Sequence, residues 1–181
     1  MRYLTQGEKE NSRRLYECCF PEDSQKFVDY YYQEKCRENE IAVIEENGKI
    51  ISMVHANPFT VSCCGTQAEV HYIVAVATDP EYRRRGYMRQ LMQQVLRDCR
   101  NRGEVFSFLM PADPAYYEPL GYRYWNNQYV WEIPKEQELL LKGFCQNPEY
   151  QSDADPKALA QMADRILADQ FDLYILRNAS Y

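Results

Sequence analysis

Residues 79–96, Asp-Pro-Glu-Tyr-Arg-Arg-Arg-Gly-Tyr-Met-Arg-Gln-Leu-Met-Gln-Gln-Val-Leu, place three arginines and a glycine where an amphipathic run begins. The chain around them is acidic, with a formal net charge of -6. A helix start leaves backbone N–H groups unpaired and carries the positive end of the helix dipole, so with arginines beside it the chemistry on offer is anion binding. Arg83, Arg84, Arg85, Gly86, Tyr87, Met88 and Arg89 are the candidate cradle for a phosphate or pyrophosphate, and Gly86 lets the backbone come close to it. A nucleotide-hydrolysing loop would need Lys followed by Ser or Thr after its glycine, and a dinucleotide loop three spaced glycines. Neither is present. The competing reading of the same residues is a solvated basic helix terminus.

The elements that must position this loop are legible from periodicity. Thr5 and Glu8 fit a capping box before a first helix carrying Leu15, Cys18 and Cys19 on one face. Gln25 to Arg37, with Phe27, Tyr30, Tyr31 and Cys36, reads as a second helix. The period then changes to that of strands: Ile41 to Ile44 and Ile50 to Val54 flank Asn47-Gly48, a hairpin signal. A further turn at Cys63-Cys64-Gly65-Thr66 leads into the strand Ala68 to Thr78, which feeds the arginine loop. Alternation puts Glu69 and His71 on one face of that strand and Tyr72 and Val74 on the other. From Met88, apolar residues at 88, 91, 92, 95, 96 and 99 form one helical face, and Gly103 stands where a C-cap belongs.

Beyond it come a short apolar strand at 105–110, a proline-bounded turn of helix near Tyr116 to Leu120, and strands at 122–125 and 128–133. A last helix is expected from Asp155-Pro156 to about Phe171. The expected class is α/β (α+β), a mixed, mostly antiparallel central sheet flanked by helices. Residues 1–133 form the domain, and 134–181 an extension that reads as the start of a further, truncated domain.

Composition excludes several partners. The acidic balance offers no general field for nucleic acid or an anionic membrane, and no apolar run approaches a membrane span. Seven cysteines, an odd number with two adjacent pairs and no signal peptide before them, read as reduced thiols in a cytoplasmic protein. His55 and His71 are the only histidines and no Cys-x-x-Cys spacing occurs, so no metal site is expected.

The segment Arg83-Arg84-Arg85-Gly86-Tyr87-Met88 resembles the acetyl-CoA signature of the GNAT N-acetyltransferases, with Met88 departing from the usual small residue. Tyr117-Glu118-Pro119-Leu120-Gly121-Tyr122 is similar to their second motif, in the right order along the chain. The Arg-Arg-Arg-Gly variant with Met110 to Tyr122 after it is similar to the N-terminal domain of the enhanced-intracellular-survival type acetyltransferases. The resemblance implies the GNAT fold, acetyl-CoA as co-substrate, and Val76, Ala77 and Thr78 pairing with its pantetheine arm.

Acetyl transfer to an amine needs loss of a proton from an ammonium of pKa about 10 and expulsion of a thiolate whose acid has pKa about 8.5. The resemblance places Tyr117 beside the leaving sulfur as the acid, and Glu69 and His71 on the strand that supplies a base. A backbone N–H between Val74 and Thr78, exposed by a bulge, would steady the oxyanion. The acceptor is then a primary amine of a small molecule or peptide, and a homo-oligomer stays open. The alternative is a module of the same fold that senses or scaffolds acyl-CoA without turnover.

Overall fold

The computed structural model describes residues 1–126, 134 and 155–178. They fall into two compact units, Met1–Tyr122 with Phe171–Leu176, and Arg123–Gln170 with Arg177–Tyr181. In the second, Asp155 accepts from the Lys157 N–H at 3.0 Å and opens the helix Pro156–Gln170 as its sequence directs.

Among the described residues, the first unit is built on a sheet of six strands, β1 (Arg2–Tyr3), β2 (Glu40–Glu46), β3 (Lys49–Cys63), β4 (Thr66–Thr78), β5 (Ser107–Leu109) and β6 (Leu173–Ile175). They run β1-β2-β3-β4-β5, with β6 against β3. All pairings are antiparallel except β4 with β5. Asn47 (φ 51°) and Gly48 (φ 75°) close the β2–β3 hairpin in the left-handed conformation that its right-handed twist requires.

Two apolar layers sandwich the sheet. On one face α1 (Arg13–Cys19) and α2 (Gln25–Gln33) bury Leu15, Tyr16, Val28, Tyr31 and Tyr32 against Ile41, Val43, Met53, Ala75 and Ala77. On the other, α3 (Tyr87–Asn101) buries Leu91, Met92, Val95 and Cys99 against Ala42, Val54, Ala56 and Ile73. The expected face of α3 is thus the buried one, with Leu96 half-buried at its margin.

Several expectations are corrected. The capping box of Thr5 and Glu8 is present, with the Glu8 carboxylate accepting from the Thr5 N–H at 2.8 Å, but it opens a 3-10 helix, Gln6–Ser12, that precedes α1. Cys18 is exposed, and Tyr16 takes the inward place beside Leu15. Helix α2 stops at Gln33 and Lys35–Arg37 tightens into a 3-10 turn. Its inward stripe is Val28, Tyr31 and Tyr32, leaving Phe27 and Tyr30 exposed, because positions three and four apart share a face. Residues 122–125 form no strand: Tyr122 is held by a side-chain bond, its hydroxyl 2.7 Å from Ser107 Oγ. The strand expected at 128–133 lies outside the described residues.

Candidate active site

Strand β4 changes face in mid-course. His55 pairs with Val74 and Met53 with Ala77, so Ala75 and Val76 together oppose the single Val54. Ala75 carries the extra residue at φ 48°, a β-bulge. Ile73 and Val76 consequently both face α3, while Ala75 and Ala77 face α1 and α2. The parallel strand β5 accompanies β4 only from His71–Ser107 to Ile73–Leu109. Past that point the edge of residues 74–78 that faced β5 has no strand partner among the described residues, and the sheet opens as a fork.

The open edge runs directly into the arginine loop. Asp79 ends the strand, its N–H on Ile51 O at 2.9 Å, and its carboxylate caps a 3-10 turn Pro80–Tyr82 through the Glu81 N–H at 3.1 Å. Arg84 (φ 61°) and Gly86 (φ 82°) then turn the chain through left-handed geometry into α3. The first backbone bond of that helix is Gln90 N–H to Gly86 O at 3.0 Å. The N–H groups of residues 84–89 have no hydrogen-bond partner among the described residues, so the cradle read from the sequence is present as unpaired donors. A Cβ on Gly86 would meet nothing within 4 Å, so the protein itself does not fill the space above it. Met88 packs its side chain on the α3 layer.

The arginines divide. Arg83 Nε donates to Thr78 O at 3.1 Å and its Nη2 lies 4.0 Å from Cys19 Sγ, so this side chain ties the end of β4 to α1. Arg85 Nη2 donates to Glu81 O at 3.1 Å, with its guanidinium 5.1 Å from the centre of the Tyr82 ring. The side chains of Arg84 and Arg89 are exposed and make no hydrogen bond or ion pair among the described residues. An anion would find those two unengaged.

Tyr117 sits between two 3-10 turns, Pro114–Tyr116 and Glu118–Leu120, because Pro119 cannot continue a regular helix through it. Its ring packs edge-on to Tyr122 at 6.0 Å and joins the α3 layer. Burial raises its phenol, and the Tyr72 phenol is near enough to raise it further, so the group holds its proton through neutral pH. Tyr72 stands at the fork, one residue before Ile73.

Glu69 and His71 share a face as alternation requires, but it is the face of α3. His71 Nδ1 lies 2.9 Å from Glu104 Oε2, and that carboxylate also accepts from Arg102 Nε at 2.9 Å. Burial alone would raise Glu104; the bonds from His71 and Arg102 outweigh it and hold the carboxyl below its usual range. Cys99 completes the group, its donor atom and those of His71 and Glu104 all within 4.8 Å of one another. Arg102 Nη2 approaches Cys99 Sγ to 3.4 Å and supplies positive charge there. Glu69 accepts from Thr60 Oγ1 at 2.6 Å, about 13 Å along the strand from Ile73 at 3.3 Å per residue. Neither residue hydrogen-bonds to Tyr117 among the described residues. Glu104 was missed by sequence reasoning, since nothing local ties it to a residue 33 positions earlier.

A family model described as an acetyltransferase (GNAT) domain matches residues 1–125. The chain belongs to the GNAT acetyltransferases. Solved structures agree on the GNAT fold. A protein from Enterococcus faecalis titled a probable N-acyltransferase superposes with a TM-score of 0.62 at 22% identity, over 66% of this chain and 31% of that one. The chain therefore spans about a third of that protein's length. A GNAT family acetyltransferase from Brucella melitensis, solved in complex with acetyl-CoA, gives 0.58 at 20% identity over 68% of this chain and 81% of that one. Glucosamine-6-phosphate N-acetyltransferase from Arabidopsis thaliana gives 0.56 at 17% identity over 74% and 97%. No curated protein sequence matches the chain. Among the described residues no helix is long and apolar enough to cross a membrane.

Proposed function

We propose that this GNAT chain transfers the acetyl group of acetyl-CoA to a primary amine by direct attack in a ternary complex. The observation that carries the reading is the fork: a strand edge at residues 74–78, without a partner among the described residues, leading straight into six N–H groups that are likewise unpaired among them. The pyrophosphate lies on the loop of Arg84 to Arg89, with Arg84 and Arg89 reaching its oxygens. The pantetheine arm pairs with Val76, Ala77 and Thr78 as a missing strand, and the thioester comes to the point where β4 and β5 part. The amine nitrogen bonds to the acetyl carbon as the carbon–sulfur bond breaks. The amine's proton leaves to solvent, and Tyr117 gives its own proton to the departing thiolate. His71, held by Glu104, acts by packing β4 onto α3 and not as the base.

The rival reading, an acyl-CoA sensor without turnover, is favoured by one observation, that neither Glu69 nor His71 stands at the fork. We place residues 1–133 as the acetyl-CoA-binding domain and 134–181 as an extension of it. The kinship with the enhanced-intracellular-survival type rests on Arg83 to Met88 and Met110 to Tyr122. The free thiols suit a reducing cytoplasm.

Thermal shift with CoA tests the cradle. Ligand at about a hundred times its Kd adds about 2.7 kcal/mol to stability. Gly86→Val forces a β-branched residue to φ 82° and fills the space above the loop, so the CoA-induced rise in Tm disappears while the fold survives. An unchanged CoA affinity in that variant overturns the placement. Release of CoA with an amine then separates enzyme from sensor.

A further inference from the structure

Three metal-ligating side chains that the transfer chemistry does not use converge at the closed end of the fork. His71 comes from β4, Cys99 from the last turn of α3, and Glu104 from the link between α3 and β5. Their donor atoms, one nitrogen, one sulfur and one carboxylate oxygen, lie within 4.8 Å of one another, and among the described residues no other three such side chains do so. Cys99 is buried, and the side chains of His71 and Glu104 are only 10% and 5% exposed. Glu104 Oε2 faces His71 Nδ1 at 2.9 Å, while Oε1 accepts from Arg102 Nε at 2.9 Å. Arg102 also reaches Cys99 Sγ through Nη2 at 3.4 Å and Glu40 Oε2 through Nη1 at 3.2 Å. Packing alone does not call for such a group, since apolar residues of similar volume often serve a buried site as well as paired charges do.

We propose that His71, Cys99 and Glu104 bind one zinc ion, which clips the end of α3 and the approach to β5 onto β4. The donor set selects the metal, because thiolate with imidazole suits zinc, whereas magnesium and calcium take oxygen ligands. Zinc bonds of about 2.0–2.1 Å to nitrogen and oxygen and about 2.3 Å to sulfur set tetrahedral donors about 3.3 to 3.6 Å apart. The His71–Glu104 gap of 2.9 Å therefore opens slightly, and the sulfur closes in. The ion replaces the proton on Nδ1, which passes to Nε2 when the ring is neutral and to solvent when it is charged. The Cys99 thiol gives its proton to solvent, and water fills the fourth position. Thiolate and carboxylate offset the two positive charges of the ion. Glu40 offsets Arg102, whose N–H groups on Cys99 Sγ and Glu104 Oε1 hold both ligands in place. The low exposure of the ligands leaves little room for a substrate on the ion, so its role is structural. His71 lies opposite Ser107, the first residue of β5, and the ion fixes where that strand docks and hence where β4 and β5 part. No Cys-x-x-Cys spacing announces the site, because its ligands come from separate elements. Zinc binding here is independent of whether the chain transfers acetyl groups.

The test uses the full chain, stripped with a chelator and titrated with zinc chloride or cobalt chloride. One equivalent of zinc is expected to bind and to raise Tm. Cobalt in the same site is expected to show a thiolate-to-metal charge-transfer band and the intense visible bands of tetrahedral coordination. Loss of even a ligand's outer partner costs about ten- to a hundredfold in metal affinity, so Cys99→Ala is expected to weaken zinc at least about a hundredfold and to abolish the charge-transfer band. Glu104→Gln keeps the shape of the side chain and is expected to weaken zinc at least about tenfold. Cys18, Cys63 and Cys64 are exposed thiols, and a variant with all three changed to Ser, which leaves the core untouched, is expected to keep the stoichiometry and the cobalt band. Loss of zinc uptake in that triple variant, or a wild-type cobalt spectrum without the thiolate band, overturns the inference. So does a folded wild-type chain that takes up no zinc, or a Cys99→Ala or Glu104→Gln protein that holds zinc as tightly as the wild type.

Discussion

Replacing Tyr117 by Phe tests the acid with little structural disturbance. The ring keeps its edge-on contact with Tyr122 at 6.0 Å and its place in the α3 layer. The hydroxyl makes no hydrogen bond among the described residues, so removing it strands no internal partner, and the variant's stability should stay within about 0.5 kcal/mol. Under the proposed mechanism, what is lost is the proton for the thiolate. General-acid assistance is worth about a hundredfold to ten-thousandfold, or about 2.7 to 5.4 kcal/mol at 1.36 kcal/mol per decade. In a CoA-release assay with a reactive amine, kcat should therefore fall at least about a hundredfold while CoA affinity holds. The defect should shrink with a thioester whose thiol is more acidic, because that thiolate leaves with less help. A Phe variant that turns over near the wild-type rate, with unchanged dependence on the leaving thiol, refutes the assignment.

The pH dependence of stability should carry the signature of His55, which is fully buried with Nδ1 on Tyr31 Oη at 2.9 Å. Burial lowers its pKa from 6.5 to about 3, so between those values the unfolded chain binds a proton that the folded one refuses. Stability should fall as pH drops through this window, with a slope approaching about 1.4 kcal/mol per unit from this group, and His55→Phe should flatten that limb in urea titrations. Leu91→Ala, at a position with no exposure in the α3 layer, should cost about 2 to 5 kcal/mol by the same titration at neutral pH.

Much of the molecule is determined by short-range chemistry, and those parts were legible in the sequence by itself. Asn47-Gly48 specifies its hairpin because both residues tolerate positive φ. The apolar period of α3 identifies its buried face, Pro119 breaks the helix at Tyr117, and the residues before Gln90 have to leave their N–H groups unpaired wherever the helix lies. Each follows from residues within a few positions of one another.

Only the tertiary structure decided the rest. The face that Glu69 and His71 occupy depends on what packs on each side of β4, and Ala75 reverses the alternation that a sequence reader would carry through to Val76. The partner of His71 arrives from Glu104, and the fork exists because β5 is three residues long and stops at Leu109. Arg83 and Arg84 are chemically alike in the motif, yet one is turned back onto Thr78 and the other stays exposed. The mutual ring contacts of Phe59, Tyr72 and Phe108 bring together three separate strands, β3, β4 and β5. Strand register over such separations is set by the packing of the whole sheet, and a one-residue bulge exchanges its faces, so no local pattern of residue types could have assembled that surface.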